Sequence, residues 1–562
     1  MDSGDPKSTQ WPTDVVGHGA CGERAANAVI SLYVLAIAAL VTAFRFPPIL
    51  DFPNHYARLW LIAGGIETEP FPGVYALEWD RTATNVGIDL LTRLIGPTIG
   101  VDLLAHVFLF LAIVLPPLGA IVLHRRLFGG SHVWQIALLF TSWCATMIGG
   151  FINFQIGLGL ALLFAAADLS LKRHHPAITF VWRMAVGLIL TLNHVFSVGF
   201  FIVLICALEI PADLRELLKP GRLAGVVRRV LLAATAAALA PLSIFLSTDN
   251  LPADYQGRVP TVWTDNLGLL ISNLLSGIST YLPVVDLLFL LPIAAVLVFA
   301  LVTGRFRLHG GLCLGACGLV LISIISPTHF MGTGWISWRF PIMAGLTLLA
   351  MICPFPQASR RQLIILVTAL CLAVFGRTGW IGYNWWQGQR DVDDVLQAIE
   401  LIPPGSAVLP LLHEVDPSAR YAAPQRFYGP ENPIIWHLPT LAVPMAHSFV
   451  PTVFAARGKQ PLMVLPPWTE IAVQDGAVAS IATLICPAMR REAQSFAPYL
   501  AHWHERFDYV LVVNADMPDR TTGEEQPQGL QLIRDGGFAD LYKVDRSVPL
   551  DIDTVSSPSC PK

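Results

Sequence analysis

Residues 26–58 read ANAVISLYVLAIAALVTAFRFPPILDFPNHYAR. The run that ends at Phe46 is about 20 residues long, enough for one helical crossing of a bilayer. No small-residue cleavage site follows it, so it reads as an anchor and not as a removable signal peptide. Three ionisable groups come directly after the run: Asp51, His55 and Arg58. Pro53 suits a first helical turn, which makes Asp51 a natural helix cap. A cap alone does not call for His55 and Arg58 one and two turns later on a similar face. Ionisable groups at the membrane edge are costly and by default mark a site.

The rest of the chain supports a membrane reading. It has 562 residues, 54% of them hydrophobic and 14% charged, with a mean hydropathy of +0.58. Soluble domains carry about 25% charged residues. A net charge of -4 without a polybasic tail gives nucleic acid no surface to bind. Eleven spans can be placed, at 26–46, 101–123, 133–148, 151–171, 178–192, 195–210, 230–246, 284–301, 311–325, 340–353 and 363–380. Residues 266–281 are amphipathic and suit the interface or a re-entrant segment. With the N-terminus cytoplasmic, fifteen Lys and Arg between Lys7 and Arg361 fall inside. The opposite loops hold six: Arg45, Arg58, Arg81, Arg93, Arg258 and Arg339. The positive-inside rule fixes that orientation, and an odd number of spans exports the C-terminus.

Three regions follow: a cytoplasmic tail (1–26), a mainly α, polytopic membrane domain (27–383) with a long first periplasmic loop (47–98), and a periplasmic domain (384–562). In the last, a helix-like stretch (392–402) alternates with β-rich runs, YVLVVNAD (509–516) and FADLYKVD (538–545), which points to a small α/β domain. Of nine cysteines only Cys486 and Cys560 fall there, and an oxidising compartment would join them.

Polar residues gather on the outer side. LEWDRT (77–82) adds Glu78, Asp80 and Arg81 to the first loop. Asn153 and Gln155 open the fourth span, Asn193 and His194 close the fifth, and His329, Trp335, Trp338 and Arg339 precede the tenth. Each has a plainer role too. His194 suits a hydrogen-bonded core histidine, and Arg339 beside Trp338 an interface anchor. Asn153 among Gly149, Gly150, Gly157 and Gly159 suits close helix packing. His502 and His504 alternate as metal ligands can, but no cysteine or carboxylate pattern completes a site. An outer cleft of this make-up suits a lipid-phosphate donor. Arginine grips phosphate bidentately, and a carboxylate at a low-dielectric edge gains proton affinity and serves as a general base. No nucleotide fingerprint, neither G-x-x-x-x-G-K-[ST] nor G-x-G-x-x-G after a strand, is present.

Residues 27–381 resemble the GT-C superfamily of polyprenyl-phosphate-sugar-dependent glycosyltransferases. The likeness rests on layout and on DFPNHYAR (51–58), GGFINFQIGLGLALL (149–163), NHVFSVG (193–199) and WISWRFP (335–341). It implies an inverting transfer of one sugar to a glycan, lipid or protein acceptor at the periplasmic face of a bacterial inner membrane. It gives Asp51 the place of the first-loop catalytic carboxylate and Arg339 that of a donor-phosphate ligand. His55 then orients Asp51 or carries a second proton. Arg58 and Arg81 serve as phosphate or sugar ligands, and His194 and His329 line the cleft. FYGPENPIIWH (427–437) would touch sugar faces. Family members often pair acidic residues in the first loop, whereas Phe52 follows Asp51. Glu78 or Asp80 is left to complete a site for Mg or Mn. An O-antigen ligase or polymerase, relying on Arg and His, and a non-catalytic transporter or assembly scaffold are the rival readings.

Overall fold

The computed structural model describes residues 20–82, 84–172, 174–247, 261–264, 266–330, 333–355, 359–429, 432–473, 475–547 and 558–560. Most of the tail 1–26, and Lys7, Arg173 and Arg258 of the charge count, lie outside the described residues. The apolar runs fold as helices because a helix satisfies its own backbone where water cannot. Helix α1 (Ala20–Ala43) leads into the first loop, which holds α2 (Phe52–Ile62) and α3 (Gly87–Ile99). There follow α4 (Val101–Phe128), α5 (Ile152–Leu171), α6 (Pro176–Asn193), α7 (Val195–Glu209) and α8 (Arg222–Ser247). The array ends with α9 (Leu267–Leu275), α10 (Pro283–Val302), α11 (Gly310–Ile325), α12 (Arg339–Ala350) and α13 (Arg360–Ile399). Seven of these (α1, α4, α5, α6, α8, α10 and α13) are long and apolar enough to cross a membrane, and α7, α11 and α12 are shorter apolar helices.

Two of the eleven expected spans differ. Residues 133–148 form two single-turn helices, Gln135–Leu138 and Ala145–Ile148, around a 3₁₀ turn. Their side chains are buried throughout, and irregular backbone survives at membrane depth only inside protein. The tenth span stops at Ala350, after which Ile352–Pro354 pairs with Phe306–Leu308. The amphipathic stretch is the short α9, with Leu267, Leu269 and Ile271 exposed and Asn273 buried.

Close packing and buried ion pairs hold the array. Helices α4 and α5 approach so nearly that a Cβ on Gly119 would stand 2.6 Å from the Gly159 carbonyl oxygen. Arg377 of α13 donates to Asp286 of α10 (2.8 Å), to the Phe140 carbonyl (2.8 Å) in the broken segment, and to the Ile278 carbonyl. Asp286 also accepts from the Thr280 amide and hydroxyl. Arg183 bridges Asp168 and Glu209, and Arg58 pairs with Asp89 in full burial.

Helix α13 runs 40 residues, about 60 Å at 1.5 Å per residue. It passes straight through the boundary expected at 383–384 and packs its far end on the C-terminal domain. That domain centres on a mixed sheet of β2 (Val408–Leu412), β4 (Ala479–Ser480), β5 (Tyr509–Val513), β6 (Leu530–Arg534) and β7 (Ala539–Val544), in the order β6-β7-β5-β2-β4. β5, β2 and β4 are parallel; β6 and β7 are antiparallel additions. Cys486 and Cys560 are joined, their Cα atoms 5.6 Å apart. Strand β1 (Tyr75–Leu77) of the first loop pairs antiparallel with β3 (Leu462–Val464) of the C-terminal part.

Breaking a buried pair leaves an uncompensated charge at a cost of about 3–5 kcal/mol. Arg377→Met or Asp286→Asn should therefore lower the melting temperature and yield of purified protein sharply. The double change Arg377→Met/Asp286→Leu should lower them less than the two single changes summed. Arg377→Met melting like wild type would show the clamp to be dispensable.

Candidate functional site

The position of Asp51 is set by a turn distant in sequence. The Leu50 amide donates to the Ile148 carbonyl (3.0 Å) and the Asp51 amide to the Gly149 carbonyl (3.3 Å). Gly150 has φ 83°, and a Cβ there would come within 2.8 Å of Asp51. The turn that ends the broken segment thus holds the start of α2. Asp51 occupies the cap position of α2, yet its carboxylate makes no capping hydrogen bond. It faces a cavity of about 520 Å³ instead.

His55 also faces this cavity. Its Nε2 lies 3.1 Å from the Gly150 carbonyl, so Nε2 is the donor, and its buried Nδ1 has no partner. Arg339 opens α12. One terminal nitrogen donates to the Gly334 carbonyl (2.8 Å), while its buried Nε has no hydrogen-bond partner. Its guanidinium lies 4.9 Å from the ring centres of Phe151 and Phe196, which form an aromatic wall. His194 caps α7 by accepting from the Phe196 amide (3.2 Å) and also lines the cavity, as does His329.

The structure thus gathers Asp51, His55, His194, His329 and Arg339 around one space. It does not bring in the other four expected residues. Arg58 is fully buried against Asp89 (3.0 Å) and cannot meet a ligand. Glu78 and Asp80 are exposed at a turn outside the cavity. Arg81 donates to the carbonyls of Leu462 and Ala455, so it fastens the first loop to the C-terminal domain.

Further lining comes from the stretch FYGPENPIIWH (427–437), through His437, and from Lys459 and Asp475, which carry no mark in the sequence. His437, in a 3₁₀ turn of the C-terminal domain, sets its Nε2 3.5 Å from Asp51 Oδ1. Asn54 fixes the approach: its side chain donates to the Thr452 carbonyl (2.7 Å) and accepts from the Phe454 amide (2.8 Å). Lys459 and Asp475 complete the wall.

Burial pushes the Asp51 carboxyl up to about 8, against the pull of the Arg58 and Arg339 charges. It pushes His437 down to about 3 and His55 well below the usual histidine range, so both rings are neutral. Burial and the positive charge of Arg339 push the Lys459 ammonium down to about 8, opposed by Asp475. Two cations whose charges repel each other favour an anion between them. The donor set does not fit a divalent cation: among the described residues no three His, Cys, Asp or Glu side chains are placed to hold one metal ion together, and Glu78 and Asp80 lie outside the cavity.

No protein-family model and no curated protein matches the chain. Among solved structures, ArnT from Cupriavidus metallidurans bound to undecaprenyl phosphate aligns with a TM-score of 0.50 at 12% identity. The match covers 95% of this chain and 100% of that one. The chain therefore shares the fold of that ArnT structure, and among the described residues seven helices are long and apolar enough to cross a membrane.

Asp51 should be protonated at neutral pH and ionise as pH rises through about 8. Infrared difference spectra of the purified protein should show a carboxylic-acid band titrating there and missing from Asp51→Asn. A band titrating near pH 4 would contradict the burial argument.

Proposed function

We propose that the chain is an inverting membrane glycosyltransferase that moves one sugar from a polyprenyl-phosphate donor to an acceptor hydroxyl. The observation that carries this reading is one cavity holding a facing carboxyl, Asp51, and a buried guanidinium, Arg339, with an unpartnered Nε. The fold supports it, since the ArnT structure of the same fold holds undecaprenyl phosphate. The rings of Phe151, Phe154 and Phe196 around Arg339 suit the first isoprene units.

In this scheme the donor phosphate lies between Arg339 and Lys459, with Arg339 Nε supplying a donor. The acceptor hydroxyl gives its proton to ionised Asp51 while its oxygen attacks the anomeric carbon from the face opposite the phosphate. The bond from that carbon to the phosphate oxygen breaks, and its electron pair leaves with the lipid phosphate, whose charge the two cations meet. A single displacement of this kind inverts the anomeric centre. A base near 8 is well matched to this work, since catalytic efficiency peaks when the group's pKa lies near the operating pH. His55 positions Asp51 through the Gly150 turn, and neutral His437 faces its other side. His194 and His329 shape the wall. No step passes through a divalent cation. The positive-inside count supports a periplasmic C-terminal domain in a bacterial inner membrane, with a glycan, lipid or protein as acceptor.

Because the base must be ionised and the Lys459 ammonium charged, kcat/KM should rise to a maximum near pH 8 and fall above it as Lys459 loses its proton. Transfer of radiolabelled sugar from an undecaprenyl-phosphate donor should fall about 10²–10⁴-fold in Asp51→Asn, the usual worth of a general base. Activity within tenfold of wild type would remove Asp51 from that role. Arg339→Ala and Lys459→Met should each weaken undecaprenyl-phosphate binding about 10–100-fold, as loss of a charged hydrogen bond of roughly 1.5–3 kcal/mol implies. Native mass spectrometry would read this, and unchanged affinity in both variants would place the phosphate elsewhere.

A further inference from the structure

A second cavity, of about 630 Å³, lies within the C-terminal domain. The sheet explains its place. β5, β2 and β4 run parallel, so their carboxyl ends open on one edge. The chain leaves β2 towards β4 on one side and leaves β5 towards β6, beyond β7, on the other. Loops that part in opposite directions leave a crevice between neighbouring strands, which is where open α/β sheets take their ligands. The residues that end or follow these strands line the cavity: Glu414 after β2, Ser480 in β4 and Asn514 after β5.

Its chemistry narrows the ligand. Exposed carboxylates, Glu414 and Glu492, stand beside the rings of Trp436 and Phe496. Carboxylates only accept, and so suit a ligand rich in hydroxyl donors. Aromatic faces suit the flat C–H side of a sugar ring. The two carboxylates outnumber the one arginine of the lining, Arg520, and no glycine-rich phosphate loop follows any strand, which disfavours a nucleotide. Trp436 lines this cavity and the first one, and the next residue, His437, faces Asp51. Whatever fills the second cavity therefore rests against the wall of the first.

We infer that the second cavity binds a saccharide and holds the sugar-bearing part of the acceptor. The acceptor role rests on the glycosyltransferase reading above; the saccharide binding does not.

Saturation-transfer NMR on the full chain in lipid nanodiscs tests this, with the methyl glycosides of glucose, galactose, N-acetylglucosamine and arabinose as probes. At least one glycoside should bind, and its signal should fall at least tenfold in Phe496→Ala and in Glu492→Gln. Phe496 is 51% exposed and Glu492 is exposed, so both variants should melt like wild type. Undecaprenyl-phosphate binding, read on the same samples, should stay unchanged in both. Failure of all four glycosides to bind, or binding that both variants retain in full, overturns the inference. Wild type that binds a glycoside but no undecaprenyl phosphate instead overturns the donor reading alone.

Discussion

A guanidinium has five N–H donors and keeps its charge, so burying Arg377 to 1% exposure obliges the surrounding protein to answer every donor. Asp286 answers with charge, and the carbonyls of Phe140 and Ile278 with lone pairs. Phe140 belongs to the segment that cannot satisfy its own backbone as a continuous helix, so the same contact meets both needs. The far end of that segment is the Ile148–Gly150 turn on which Leu50 and Asp51 hang. Membrane-core electrostatics thus reach the cavity through a few residues of backbone.

The cavity is also a joint between remote parts of the chain. Asn54 and His437 are 383 residues apart and meet beside Asp51. β1 pairs with β3, and Arg81 clamps the same edge. One wall and one of the two cations come from the C-terminal part, so neither the helical array nor the α/β domain alone forms the site.

What the sequence disclosed and what it hid have physical reasons. Asp51, His55, His194, His329 and Arg339 stand out because ionisable or polar groups beside apolar runs are costly and therefore visible. The partners Asp89 and Asp286 are equally polar, but pairing is a three-dimensional fact, and without it Arg58 reads as a free ligand. Lys459 sits in a loop with no periodicity to place it. Residues 133–148 are as apolar as a span, because composition records burial and not continuity. Hydropathy falls after Trp380 and suggests a boundary at 383–384, yet RDVDDVLQAI (390–399) keeps helical periodicity and no glycine or proline interrupts it, so α13 continues.

The origin of His437 and Lys459 in the last third of the chain has a consequence for biosynthesis. Translation delivers the helical array, with Asp51 and Arg339 in place, well before the residues that face and flank them. Until the C-terminal part folds and β3 docks on β1, the nascent protein has an unlidded, half-charged vestibule. The order of synthesis therefore leaves the cavity without His437 and Lys459 until the last third of the chain has folded.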